Sequence, residues 1–98
     1  MIRRESDRIL IEGAVTLKNV AGILDAGLSE VRSGASVVDL SAVSELDSSL
    51  LAALFAWMRE ARTGDHVLAV TNLPAGLRTL AQLYGVEDLL NSPAGNLQ

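Results

Sequence analysis

Asp47-Ser48-Ser49, directly ahead of the apolar run LLAALFAWMREA, is the cluster in this chain best equipped for chemistry. A carboxylate and two hydroxyls in that position can cap a helix, because a side-chain oxygen accepts from first-turn N–H groups that have no partner inside the helix. Asp47 is the expected N-cap, and capping alone accounts for it. His66 is the only histidine, and without a Ser, Cys or Asp pattern around it makes no catalytic triad. The carboxylates fall at no spacing that pairs them as an acid–base couple. Asp39, at the end of an expected strand, is read as fixing the loop that follows through hydrogen bonds to backbone N–H groups. No G-x-x-x-x-G-K-S/T segment is present, so the chain does not hold ATP through a P-loop. With no cysteine there is no disulfide and no Cys-ligated zinc or iron–sulfur site. No catalytic residue, metal or cofactor is assigned.

The charge balance narrows the partners. Eight basic residues stand against twelve acidic ones, the formal net charge is −4, and Lys18 is the single lysine. Such a chain offers no positive field to a phosphate backbone or an anionic membrane surface. Its longest apolar run, Leu50 to Met58, is nine residues, whereas a membrane-spanning helix takes roughly 20. The apolar stretch after Arg3 and Arg4 is too short for a secretory signal. A cytoplasmic protein without membrane insertion is expected. At 98 residues, 49% of them hydrophobic, it is read as one domain over residues 1–90, with a polar, disordered tail over 91–98.

The elements that position the Asp47 cluster follow from periodicity. Arg8 to Glu12 reads as a strand that stops or continues at Gly13 into Ala14-Val15. Thr16 is the expected N-cap of a helix whose apolar stripe is Val20, Ile23, Leu24, Leu28 and Val31, closed by Ser33-Gly34. Gly22 and Gly27 each weaken that helix by about 1 kcal/mol relative to alanine, so packing must hold it. Ser36 to Leu40 and His66 to Val70 read as interior strands, being nearly continuous apolar runs. Pro74 suits the first turn of another helix, with Leu77, Leu80, Ala81 and Tyr84 on one face and Gly85 at its end. Val86 to Leu90 is a last short apolar element. The order β-β-α-β-α-β-α specifies an α/β domain with a partly parallel sheet and the helices mainly on one face.

Winding the middle helix at about 100° per residue gathers Leu50, Leu51, Leu54, Phe55, Trp57, Met58 and Ala61 on a core arc. Trp57 and Tyr84 are read as packing residues. Opposite the arc lie Ser49, Ala52, Ala53 and Ala56, small and weakly polar where a solvated face usually carries charge. Alanine is also simply a good helix former, but a bare face lets a partner approach closely. Ser48 falls at the margin beside Phe55 and Arg59. On the last helix Gly76, Thr79 and Leu83 fall away from the core stripe and extend the expected contact surface.

VVDLSAV followed by ELDSSLLAALFAWM resembles the signature of STAS domains, in which a strand ending in D-L-S leads to D-S/T-S/G-G-L at a helix start. LRTLAQLYGVEDLL is similar to the C-terminal part of the MlaB-like branch, the cytoplasmic STAS subunits of phospholipid-transporting Mla ABC complexes. The resemblance spans roughly Arg8 to Leu90. It implies a small mixed sheet of four or five strands with helices on one side, no catalysis, and docking on another protein. In anti-sigma-factor antagonists the residue matching Ser49 is phosphorylated by the anti-sigma kinase. In the MlaB-like branch the residue matching Ser48 lies at the contact with the ATPase. Leu50 departs from both, which carry glycine there, and either fills core space or stands in the way of a partner.

Three functions follow for comparison. The first is a non-catalytic subunit that docks on an MlaF-like ABC ATPase in phospholipid transport that maintains outer-membrane asymmetry, held at the inner membrane through its partner; the TLAQLYG segment favours it. The second is an anti-sigma-factor antagonist controlled by phosphorylation of Ser49. The third, an enzyme or metabolite binder, lacks a nucleophile pair, a metal cluster and a phosphate loop.

Overall fold

A computed structural model describes residues 1–91 of the chain. The tail expected over residues 91–98 lies outside the described residues apart from Asn91, which ends the last helix. The elements run β1 (Ile2–Glu5), β2 (Arg8–Val15), α1 (Val20–Arg32), β3 (Val37–Leu46), α2 (Ser48–Thr63), β4 (Ala69–Thr71), α3 (Ala75–Leu83) and α4 (Glu87–Asn91). The sheet order is β1-β2-β3-β4. β1 pairs with β2 antiparallel, whereas β2 with β3 and β3 with β4 are parallel, so the sheet is mixed.

β2 shows how the chain assigns its two faces. Ile9, Ile11 and Val15 are fully buried under the helices, while Arg8, Leu10 and Glu12 between them are only partly covered. That alternation places the helices on one face. The strand does not break at Gly13, which passes through at φ +86° as one residue of a continuous β2. The first strand is instead β1, whose charged residues Arg3, Arg4 and Glu5 concealed it. Edge strands carry charge because one side faces water, and Arg4 reaches Glu30 of α1 at 2.8 Å. β3 is longer than its apolar core suggested, because two bulges insert extra residues opposite β2.

Three helix and strand boundaries depart from expectation. Thr16 is not the N-cap of α1; Asn19 is. The Asn19 side chain does not cap the helix but ties the loop, accepting from the Thr16 N–H at 2.9 Å and donating to the Ala14 carbonyl at 2.8 Å. β4 is a three-residue edge strand rather than an interior one, since it pairs with β3 alone. Residues ahead of it serve other ends: the His66 N–H closes α2 by donating to the Ala61 carbonyl, and Leu68 enters the core. Pro74 precedes α3 as its N-cap, and Tyr84 at the other end is exposed rather than packed, with Gly85 beyond it at φ +72°.

The core centres on Trp57, fully buried with Leu50, Leu54, Ile9, Ile11 and Val38. Its indole N–H donates to the Leu24 carbonyl of α1 at 3.0 Å. Gly27, also in α1, lies so close to that ring that any Cβ would overlap it. The glycine that weakens the helix locally is therefore what lets α1 and α2 meet, a tertiary gain offsetting about 1 kcal/mol of propensity.

Candidate docking site

At the start of α2 the Asp47 backbone is extended, and its carboxylate serves three donors. Oδ1 accepts from the Ser49 N–H at 2.9 Å and from the Ser49 hydroxyl at 2.5 Å, while Oδ2 accepts from the Leu17 N–H at 3.0 Å. These donors, the Ser49 hydroxyl foremost, hold the Asp47 carboxyl below the usual carboxylate range. One side chain thus caps α2 and fastens the loop that leaves β2.

The two serines separate at this turn. Ser48 is exposed, whereas Ser49 is only 8% exposed and its hydroxyl is engaged by Asp47. Ser49 therefore does not belong to the open face expected for it. Ala53, at 2% exposure, is likewise a core residue and not a contact surface for a partner. The reason is α1: Ser49, Ala53, Ala56 and Glu60 form one stripe of α2, and Glu60 pairs with Arg32 of α1 at 3.1 Å. Small side chains on that stripe do admit a close neighbour, but the neighbour is a helix of the same chain. What remains open is Ser48, Ala52 and Arg59, flanked by half-buried Phe55 and Ala56. Leu50 is fully buried, so the leucine fills core space and leaves the surface clear.

Gly76, Thr79 and Leu83 are all exposed and share one stripe of α3. The Gly76 end of that stripe lies over Leu46, at the end of β3 just ahead of α2, so the stripe begins beside the Asp47 turn. Leu83 at the far end is 75% exposed, and so is Leu17, whose N–H is held by Asp47. Leu17 is the surface residue that the sequence reading missed; its only signal was a lone leucine in the polar loop Thr16 to Asn19. Ser48, Ala52, Leu17 and the α3 stripe thus present small and aliphatic side chains from the N-terminal end of α2 along α3, with Arg59 at the edge.

Asp39 and His66 sit elsewhere and have structural partners. Asp39 lies within β3, where Oδ1 accepts from the Ser41 N–H at 2.9 Å and from the Asn72 amide at 3.0 Å, and Oδ2 from Arg8 at 2.9 Å. These donors, led by the Ser41 N–H, lower its pKa to about 2. It stabilises the first bulge of β3 and links it to β2 and to the residue after β4. His66 Nε2 is 3.2 Å from the Ala35 carbonyl. Among the described residues no group of three or more His, Cys, Asp or Glu is placed to hold a metal ion, and no helix is long and apolar enough to cross a membrane.

Comparison with known proteins places the fold. The family model described as "Mlab, STAS domain" matches residues 2–91. The chain belongs to the STAS family. Among solved structures, the STAS chain is similar to a chain of the Acinetobacter MlaFEDB complex in an ATP-bound conformation, at TM-score 0.73 and 21% identity, covering 85% of this chain and 90% of that one. It is also similar to the anti-sigma factor antagonist SpoIIAA in its unphosphorylated form, at TM-score 0.68 and 18% identity, covering 89% and 81%. A third similar structure, a Thermotoga maritima protein described as an anti-sigma factor antagonist, has TM-score 0.71 and 13% identity, covering 92% and 81%. At these identities the structures share the STAS fold with this chain. No curated protein matches the sequence.

Proposed function

We propose that this STAS chain is a non-catalytic subunit that docks on the ATPase of an Mla-type phospholipid ABC transporter, at the cytoplasmic side of the inner membrane. The observation that carries the reading is the division of labour between the two serines. Ser48, matched to the ATPase contact, is exposed beside Ala52 and the α3 stripe, whereas Ser49, matched to the phosphorylated residue, is closed off by Asp47. Agreement of residues 2–91 with a family model described for MlaB supports the same choice.

Docking here would bury Ser48 and Ala52 together with Gly76, Thr79 and Leu83 along α3, with Ala56 at the margin and Leu17 added by the Asp47 turn. The contacting side chains are small or aliphatic with Arg59 at the edge, which suits a contact with a dry centre and a polar rim. The expected role is to position or stabilise the ATPase, since the chain brings no phosphate-binding loop of its own.

The second reading, an antagonist regulated by an anti-sigma kinase, is favoured by the Asp47-Ser48-Ser49 order and by the likeness to SpoIIAA. It requires the Ser49 hydroxyl, only 8% exposed, to be uncovered before a kinase can reach it; its hydrogen bond to Asp47 leaves the oxygen lone pairs free. Purification of the tagged protein from its own cells tests the two together. Recovery of an ABC ATPase with membrane subunits, lost on Ala52→Arg while the variant stays folded, is the expected result, because an unpaired charge buried at an interface costs several kcal/mol. Recovery of a histidine-kinase-like protein, with stoichiometric phosphate on Ser49 by mass spectrometry, refutes it.

A further inference from the structure

A second surface lies away from the Asp47 turn, at the C-terminal half of α2. A groove of about 690 Å³ runs between α2, the residues leading into β4, and α4. Phe55, Met58, Val67, Leu68, Val86 and Leu89 supply its apolar lining. Val67 and Leu89 are 51% and 59% exposed, so the apolar lining reaches the mouth and is not sealed inside. Arg59 and Arg62 stand on the rim, one helical turn apart.

These two arginines differ from the others in the chain. Arg3, Arg4, Arg8, Arg32 and Arg78 are each paired with a carboxylate. The side chains of Arg59 and Arg62 make no ion pair or hydrogen bond with any described residue. Among the described residues Asp88, on the α4 side, is the only acid lining the groove, so cationic groups outnumber it there in a chain of net charge −4. Unpaired guanidinium groups beside apolar surface are sites for carboxylates, which they bind through two parallel hydrogen bonds.

We propose that this groove binds an acidic amphipathic peptide segment of a partner protein, with apolar side chains between Val67 and Leu89 and carboxylates on Arg59 and Arg62. A helix or short segment buries one stripe and leaves the rest in water, which an open-mouthed groove allows. An acyl chain gains most from a site that encloses it, which this groove does not do. With the chain at net charge −4, the two arginines also set where such a peptide settles. The inference does not depend on the ATPase reading: the groove adjoins the docking face at Phe55 and Arg59, but Met58, Arg62, Val67, Leu68, Val86 and Leu89 belong to the groove alone.

The test uses the full chain and a fluorescein-labelled helical peptide with leucine at every third and fourth position and glutamate elsewhere, followed by fluorescence anisotropy. A sibling peptide with lysine in place of glutamate is the control. The glutamate peptide is expected to bind and the lysine peptide not to. Arg59→Glu with Arg62→Glu should weaken the first about tenfold or more and admit the second. Emission from buried Trp57 checks that the variant is folded. Equal binding of both peptides, indifference to the double charge reversal, or decanoate binding with no peptide binding would each overturn the proposal.

Discussion

Replacing Gly27 with alanine should destabilise the protein, while the same replacement at Gly22, in the same helix, should stabilise it. Around Gly22 an added Cβ meets nothing within 4 Å, whereas at Gly27 it collides with Cε2, Cζ2 and Nε1 of Trp57. Both substitutions gain about 1 kcal/mol of helix propensity. At Gly27 that gain is opposed by overpacking, about 1–3 kcal/mol. Trp57 cannot yield freely, because its N–H is bonded to the Leu24 carbonyl at 3.0 Å. Breaking that bond leaves a buried donor unsatisfied, a further cost of about 1–3 kcal/mol. The net for Gly27→Ala is a loss of about 3 kcal/mol. In a domain of this size that lowers the midpoint of thermal unfolding by about 12–24 °C. Urea unfolding followed by Trp57 fluorescence measures both variants, with a red-shifted native emission expected for Gly27→Ala alone. A Gly27→Ala protein as stable as the parent would refute the packing argument, and equal effects at the two glycines would show that propensity outweighs contact.

Acid should expose the Asp39 network. Its folded pKa of about 2 lies below the ordinary 3.8, so the stability it adds is present above about pH 4 and is lost as pH falls toward 2. Discounted for screening at half-exposed Arg8, this amounts to about 1 kcal/mol; Asp39→Asn should flatten the dependence of the urea midpoint on pH over that window, and an unchanged slope would count against the assignment. Asp47→Ala should lower the thermal midpoint and speed amide exchange at Ser49 and Leu17 together, since one carboxylate holds both N–H groups. Exchange that quickens at Ser49 alone would mean that the β2–α1 loop is held by other contacts.

Several features were legible in the residues alone because they depend on short-range physics. Val20, Ile23, Leu24, Leu28 and Val31 mark α1 through a period that any amphipathic helix must have. Asp47 announces α2 because an unsatisfied helix start selects a small set of side chains. Strands parallel to one another follow from the alternation of strands with helices, whatever the details of the core.

Tertiary structure decided which side of each helix is occupied. Periodicity reports a stripe but not how many neighbours the helix has, so Ser49 and Ala53 looked open until α1 was placed across them. The same uncertainty hid the role of Gly27, which reads as a flaw in α1 and is the point where Trp57 fits. β1 escaped notice because an edge strand in water has no apolar pattern to display, and β4 misled because apolar residues ahead of it serve a groove and the core. Both the Leu17 and Leu83 surface around the Asp47 turn and the Arg59 and Arg62 groove join residues far apart in sequence. Local patterns carry no record of such pairings, because the forces that create them act only once the chain has packed.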